Sequence, residues 1–247
     1  MKRRAGIDAK IERAEKHIQD LEIWLCGFGE TKPYILGTKP HKVPDLGWTT
    51  IYIKDVNEFG ASLFVGDCIH NLRSALDHLA WQLVEAGGGV PNKDTSFPIS
   101  DTSHQYASAI GKGEINKIAC KAKEVLSGVQ PFKTGDNTLS VLHTLDIFDK
   151  HRVLLTAMMA VADYGIHFGA NQMLWFNSDR RLPLMRGNEV VNIPTRTIAD
   201  MKGDFKLAVE ITFIEPEVVK GKPVLETLKQ MADAVLMIVD RFGPFLI

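Results

Sequence analysis

At 247 residues, with 45% hydrophobic and 24% charged side chains, the chain has ordinary globular composition and enough length to bury a core without covalent staples. A formal net charge of -1 and a pI of about 6.7 remove any argument from overall charge for nucleic-acid binding, and the basic cluster Lys2, Arg3 and Arg4 reads as a solvated end. Cys26, Cys68 and Cys120 are odd in number, far apart and form no CxxC pair, which argues against a disulfide framework or a thiolate zinc site and for a reducing, cytoplasmic setting. No apolar stretch reaches the roughly 18 residues of a membrane span, and no apolar h-region follows the charged N-terminus.

The first element expected is a helix from about Ile7 to Phe28. Its apolar residues Ile7, Ile11, Ala14, Ile18, Leu21, Leu25 and Phe28 alternate at spacings of four and three. That seam fits a bundle helix or a short coiled coil. Residues 30–60 read as loop, punctuated by Pro33, Gly37, Pro40, Pro44 and Gly47, with a short strand over Thr49–Lys54. A second long helix is expected from Ser62 to Glu85, stopped by Gly87-Gly88-Gly89 and Pro91. Residues 90–113 read as loop with an apolar plug at Phe97-Pro98-Ile99. A third helix covers Glu114 to Leu126, and a fourth runs from the Asp136-Asn137-Thr138 cap to about Ala162. After residue 165 the period changes to two. Phe205, Leu207, Val209, Ile211 and Phe213 alternate with polar or small residues, which predicts a half-buried strand. Gln172–Phe176 and Glu189–Ile193 are its expected partners, and a helix over Val224–Phe242 closes the chain. The order predicts an α+β fold: a bundle of about four helices in 1–164, then a small antiparallel β-sheet and a C-terminal helix in 165–247, packed as one globular unit.

The helix from Ser62 to Glu85 carries the most chemistry. Val65, Cys68, Ile69, Leu72, Leu76, Leu79 and Leu83 form its core face. The other side carries Asp67, His70, Ser74, Asp77, His78 and Trp81. A solvated face is normally rich in Lys and Glu, and a Trp there would leave apolar area in water. The composition therefore predicts that this polar face is covered, by another helix or a second subunit. Arg73 and Asp77 are i,i+4 neighbours. The expected partner is the helix after Asn137, where Asp149 and Arg152 continue the apolar face of Val141, Leu142 and Leu145. His151 points about 100° away from Arg152. Ionisable groups so placed need partners, and the expected ones are Arg73, His70 and Asp77.

Arg73-x4-His78 resembles the R-x4-6-H motif of the HEPN superfamily, helical bundles that are commonly dimers and often metal-independent ribonucleases. That resemblance implies Arg73 stabilising phosphate charge and His78 acting as base or acid, with RNA or a nucleotide as partner. It covers one helix. The blocks Gly66–His78 and Asp149–Arg152 also resemble those of a family of uncharacterised bacterial proteins. Two other readings stand beside these. One is a non-catalytic network of buried polar groups holding helices together or fixing a homodimer. The other is a metal site using His70, Asp77, His78, Asp149 and His151, although Arg73 and Arg152 would repel a cation. No P-loop, dinucleotide fingerprint, nucleophile elbow or HExxH is present, so no cofactor is expected.

Overall fold

Three antiparallel contacts define the frame. Gly6 faces His78, Lys10 Nζ donates to Asn71 Oδ1 at 3.3 Å, and Trp24 lies over Gly60. These partners run in opposite senses along helices α1 (Lys2–Glu30) and α2 (Glu58–Ala86), which therefore form an antiparallel pair. The computed structural model describes residues 2–31, 34–39, 48–53, 58–132, 137–151, 157–168, 172–183, 189–194 and 205–246. Within these, only the backbone is described for Lys2, Gly29, 34–39, 48–53, 58–59, His151, 157–168, 172–183, 189–194 and 205–209.

Among the described residues the chain is mostly helical. The seam of α1 is buried as its spacing predicts, from Ile7 through Leu25, and it meets the buried face of α2 from Val65 to Leu83. Each Leu fully removed from water there contributes about 1.5–3 kcal/mol. Gly60 is part of the fit, because a Cβ would stand 3.1 Å from the Trp24 ring. After α2, Gly87 sits so close to the next segment that a Cβ would meet the Lys117 carbonyl at 2.6 Å.

Two short helices follow, α3 (Ser103–Ile110) and α4 (Cys120–Ser127). Helix α3 lies where a loop was expected. Its signal is a capping box in which Thr102 and Gln105 satisfy each other's amides. The expected third helix is also shorter than the periodicity suggested. Glu114–Lys117 form one 3-10 turn and Ile118 is extended, so both Ile115 and Ile118 are buried before α4 begins.

Helix α5 spans Asn137–His151 and not Asn137–Ala162. Its sequel Ala157–Phe168 is strand β3, counting Tyr34–Lys39 as β1 and Trp48–Ile53 as β2. The hydrophobic sequence there fits either period, and over Ala157–Phe168 backbone pairing decides it in favour of a strand. Strands β4 (Gln172–Pro183), β5 (Glu189–Pro194) and β6 (Phe205–Phe213) follow. Pairing differs from the expectation. The partner of β6 is β3, with Met159 opposite Ile211, and β4 lies on the other side of β3. Strand β5 pairs with β2, Thr49 opposite Ile193, and β1 pairs with β2. Asp179-Arg180-Arg181 lies in β4. The strand segments therefore start earlier than residue 165 and include two from the first quarter of the chain.

Helix α6 spans Val224–Phe242, as its stripe predicts, and packs on α1, α2 and α5. Arg4 Nη2 bonds Asp240 Oδ1 at 2.6 Å, and Lys229 pairs with Glu22, so α6 runs antiparallel to α1. Four long helices thus share one core, and the C-terminal end of β6 is pinned to it by Ile211 and Phe213, each 1% exposed. No helix among the described residues is long and apolar enough to cross a membrane.

Candidate functional site: the α2–α5 polar network

Helices α2 and α5 cross the core in opposite directions and meet through polar side chains. At one end the Asp149 carboxylate lies against Gly66, where a Cβ would stand 2.8 Å from both its oxygens. One turn along, His70 Nδ1 stands 3.5 Å from Asp146 Oδ1. At the centre is Arg73, 6% exposed.

Arg73 is held on both sides. Its Nη1 lies 3.0 Å from Asp77 Oδ1, at ion-pair distance, although the angle falls outside hydrogen-bond geometry. Its Nη2 donates to the Phe97 carbonyl at 3.1 Å. Asp77 Oδ1 in turn accepts from the Phe97 amide at 2.9 Å. Two side chains one helical turn apart therefore grip both backbone groups of one residue. The Phe97 ring is 1% exposed, so the clamp fixes the 92–100 segment against α2. Burial lowers the Arg73 pKa, while Asp77 and Asp146 oppose the shift. The guanidinium stays charged at neutral pH.

Asp146 is 4% exposed and sits between three cations or potential cations: Lys150 Nζ at 2.7 Å from Oδ2, His70, and Arg73. His143, one turn earlier on α5, has a buried Nδ1 without a hydrogen-bond partner. Its pKa is lowered by desolvation first and then by Arg73, with Asp146 and Asp77 acting the other way. Its neutral form therefore dominates at neutral pH.

The sequence-derived set divides. Arg73 and Asp77 come together, and Asp149 packs on α2, but at Gly66 instead of at Arg73. His70 reaches α5 yet keeps 51% of its side chain exposed. Asp67 and His78 are exposed, and Trp81, 38% exposed, bonds Glu85 Oε1 at 3.1 Å. Within one chain the polar face of α2 is thus covered at Arg73 but open at Asp67, His70, His78 and Trp81. His78 belongs to the α1 side, where its Nδ1 would stand 3.7 Å from a Cβ on Gly6. Arg73 and His78 therefore look in different directions. The His151 side chain and all of Arg152 lie outside the described residues.

Asp146 and His143 were not singled out from sequence. The signal was present for Asp146: it follows Leu142 by four residues, on the same apolar face whose violation drew attention to Asp149. His143 has no such signature, because a lone His beside apolar positions is an ordinary helix residue.

Ser74 Oγ and Asp146 Oδ1 each stand 3.5 Å from a nitrogen of the His70 ring. The order resembles a nucleophile, base and orienting acid. Ser74 lies mid-helix, however, where its own amide is committed to the helix ladder, so the arrangement lacks the backbone donors of an oxyanion hole. Among the described residues no group of three or more His, Cys, Asp or Glu is placed to hold a metal ion. No protein-family model, curated protein or solved structure matches the chain, so the reading of this site rests on its own geometry.

Proposed function

We propose that the chain is a non-catalytic binding module whose α2–α5 network fixes its helices and the 92–100 segment in one arrangement. The observation that carries this is the double engagement of buried Arg73 by Asp77 and by the Phe97 carbonyl. An arginine that stabilises phosphate charge in a transition state must present its fork to substrate. Here both Nη atoms face internal partners. Removing Arg73 would leave Asp77 and Asp146 short of a cation, which is the behaviour of a structural ion pair.

The second reading is a HEPN-like nucleic-acid-processing or nucleotide-binding protein working as a homodimer in the cytoplasm. It is favoured by the exposure of His70 and His78 on one helix. Because Arg73 and His78 diverge within a chain, this reading needs a second copy to bring an imidazole to the substrate. A small antiparallel sheet closing on the bundle as a single unit belongs to the proposed architecture under either reading. It is supported by the backbone registers of β3, β4 and β6 and by the apolar alternation over Phe205–Phe213.

Purified protein incubated with a mixed RNA pool in EDTA separates the two. The binding-module reading expects no cleavage above that of buffer. Cleavage that is lost in His78→Ala and kept in His17→Ala would replace it with the nuclease reading.

A further inference from the structure

Two cavities flank the His143 imidazole. One, of about 490 Å³, is bordered by Ser140, Thr144, Ile147, Phe148 and Pro216. The other, of about 430 Å³, is bordered by Arg73, Thr95, Phe97, Lys112 and Ile115. His143 and Ile99 belong to the walls of both. Each volume falls within the range of small-molecule sites.

The two ends differ in chemistry. The first offers apolar surface from Ile99, Ile147, Phe148 and Pro216, with one acid, Asp101, and the polar Gln105 also on its wall, and Ile147 stays 44% exposed at its edge. The second offers two cations, Arg73 and Lys112. Two acids also border it. Glu114 is already paired with Lys117 at 2.7 Å, and Asp94 is on the exposed rim. His143, whose Nδ1 is buried and has no hydrogen-bond partner, belongs to the wall that the two cavities share. A buried polar atom of that kind is normally satisfied by protein, water or ligand. Arg73 stays engaged with Asp77 and the Phe97 carbonyl, so it adds positive charge to this end without giving up its partners.

We propose that the paired cavities form one site for a small amphipathic anion, with its apolar body against Ile99, Ile147 and Phe148 and its carboxylate or phosphate between His143 and Lys112, at the end where the clamped Arg73 adds positive charge. The assignment rests on the binding-module reading and gives it a ligand class. The body fills the cavity without cations, the anionic head meets the Lys112 ammonium near the clamped guanidinium, and His143 donates a ring N–H at the junction.

Calorimetric titration of the full chain with benzoate and with phenyl phosphate tests it. Benzyl alcohol serves as the body without a head, and inorganic phosphate as the head without a body. One or both aromatic anions bind saturably at one per chain, at least about tenfold more tightly than either control, and the tighter of the two identifies the head group. Ile147→Glu and Lys112→Glu alter exposed residues, so their folding is checked by unchanged circular dichroism. Each weakens the anion by about fivefold or more. No saturable binding of benzoate or phenyl phosphate up to about 10 mM overturns the proposal. So does binding that both variants leave unchanged, or binding of benzyl alcohol as tight as that of the anions. Those results leave the RNA experiment untouched, whereas RNA cleavage by the wild type would remove the binding-module reading itself.

Discussion

The Asp149 carboxylate occupies the space beside Gly66 that a side chain would need, with both oxygens 2.8 Å from the position of a Cβ. The absence of a side chain at one position on α2 is thus what allows an acid on α5 to approach. Gly66→Ala forces one of the two helices to shift, at a cost of about 1–3 kcal/mol. Chemical denaturation measures it. Asp149→Ala in the same chain relieves the clash, so the double variant loses less than the sum of the single losses.

Two desolvated imidazoles make stability depend on pH. His17 and His143 both have pKa values lowered from 6.5, in each case by desolvation first and then by a nearby arginine, Arg13 or Arg73. Opposing them are Asp67 and Asp20 at His17, and Asp146 and Asp77 at His143, while Lys16 and Lys150 add to the lowering. As pH falls through 6.5 the unfolded chain takes up protons that the folded chain refuses. Stability therefore declines from that point down to the folded-state pKa values, then levels off with respect to these groups. Urea midpoints at a series of pH values show the decline, and the combined His17→Gln and His143→Gln variant flattens it.

The thiols divide into two classes. Cys68 is fully buried, and burial pushes its pKa up to about 12, whereas Cys26 and Cys120 are exposed. A thiol-reactive dye added to native protein titrates two cysteines quickly. The third reacts only when denaturant opens the core, and the kinetics of colour release check both statements.

Much of the helical frame was legible because three long segments obey the 3.6-residue period. The α6 boundaries, Val224 to Phe242, follow from one apolar stripe. Legibility failed where one hydrophobic run fits two periods. Residues after His151 carry no breaker before Gly165, and only partner strands from elsewhere in the chain select β3. It failed also at α3, where a capping box is the one helix signal in a polar stretch without apolar periodicity. At the site, the sequence identified Arg73 with Asp77 and drew attention to Asp149, because charges on apolar faces are costly without partners. It did not reveal that Arg73 would be satisfied by the backbone of Phe97. That partner lies 24 residues away in a loop and carries no side-chain signature. Nor could helix geometry alone decide that His78 faces α1, since either of two packed neighbours suits an exposed imidazole.

Arg73 is an internal clamp, and a double-mutant cycle with Asp77 measures it. Arg73→Met removes the cation while keeping apolar volume, and Asp77→Asn keeps an acceptor for the Phe97 amide while removing the charge. Arg73→Met alone is expected to cost about 3–5 kcal/mol, because buried Asp146 and half-buried Asp77 lose their shared cation. The double variant is expected to be more stable than the sum of the singles by about 1–3 kcal/mol. An Arg73→Met protein within about 0.5 kcal/mol of the wild type, with strictly additive effects in the cycle, would contradict the claim and return Arg73 to the pool of groups free to meet a substrate.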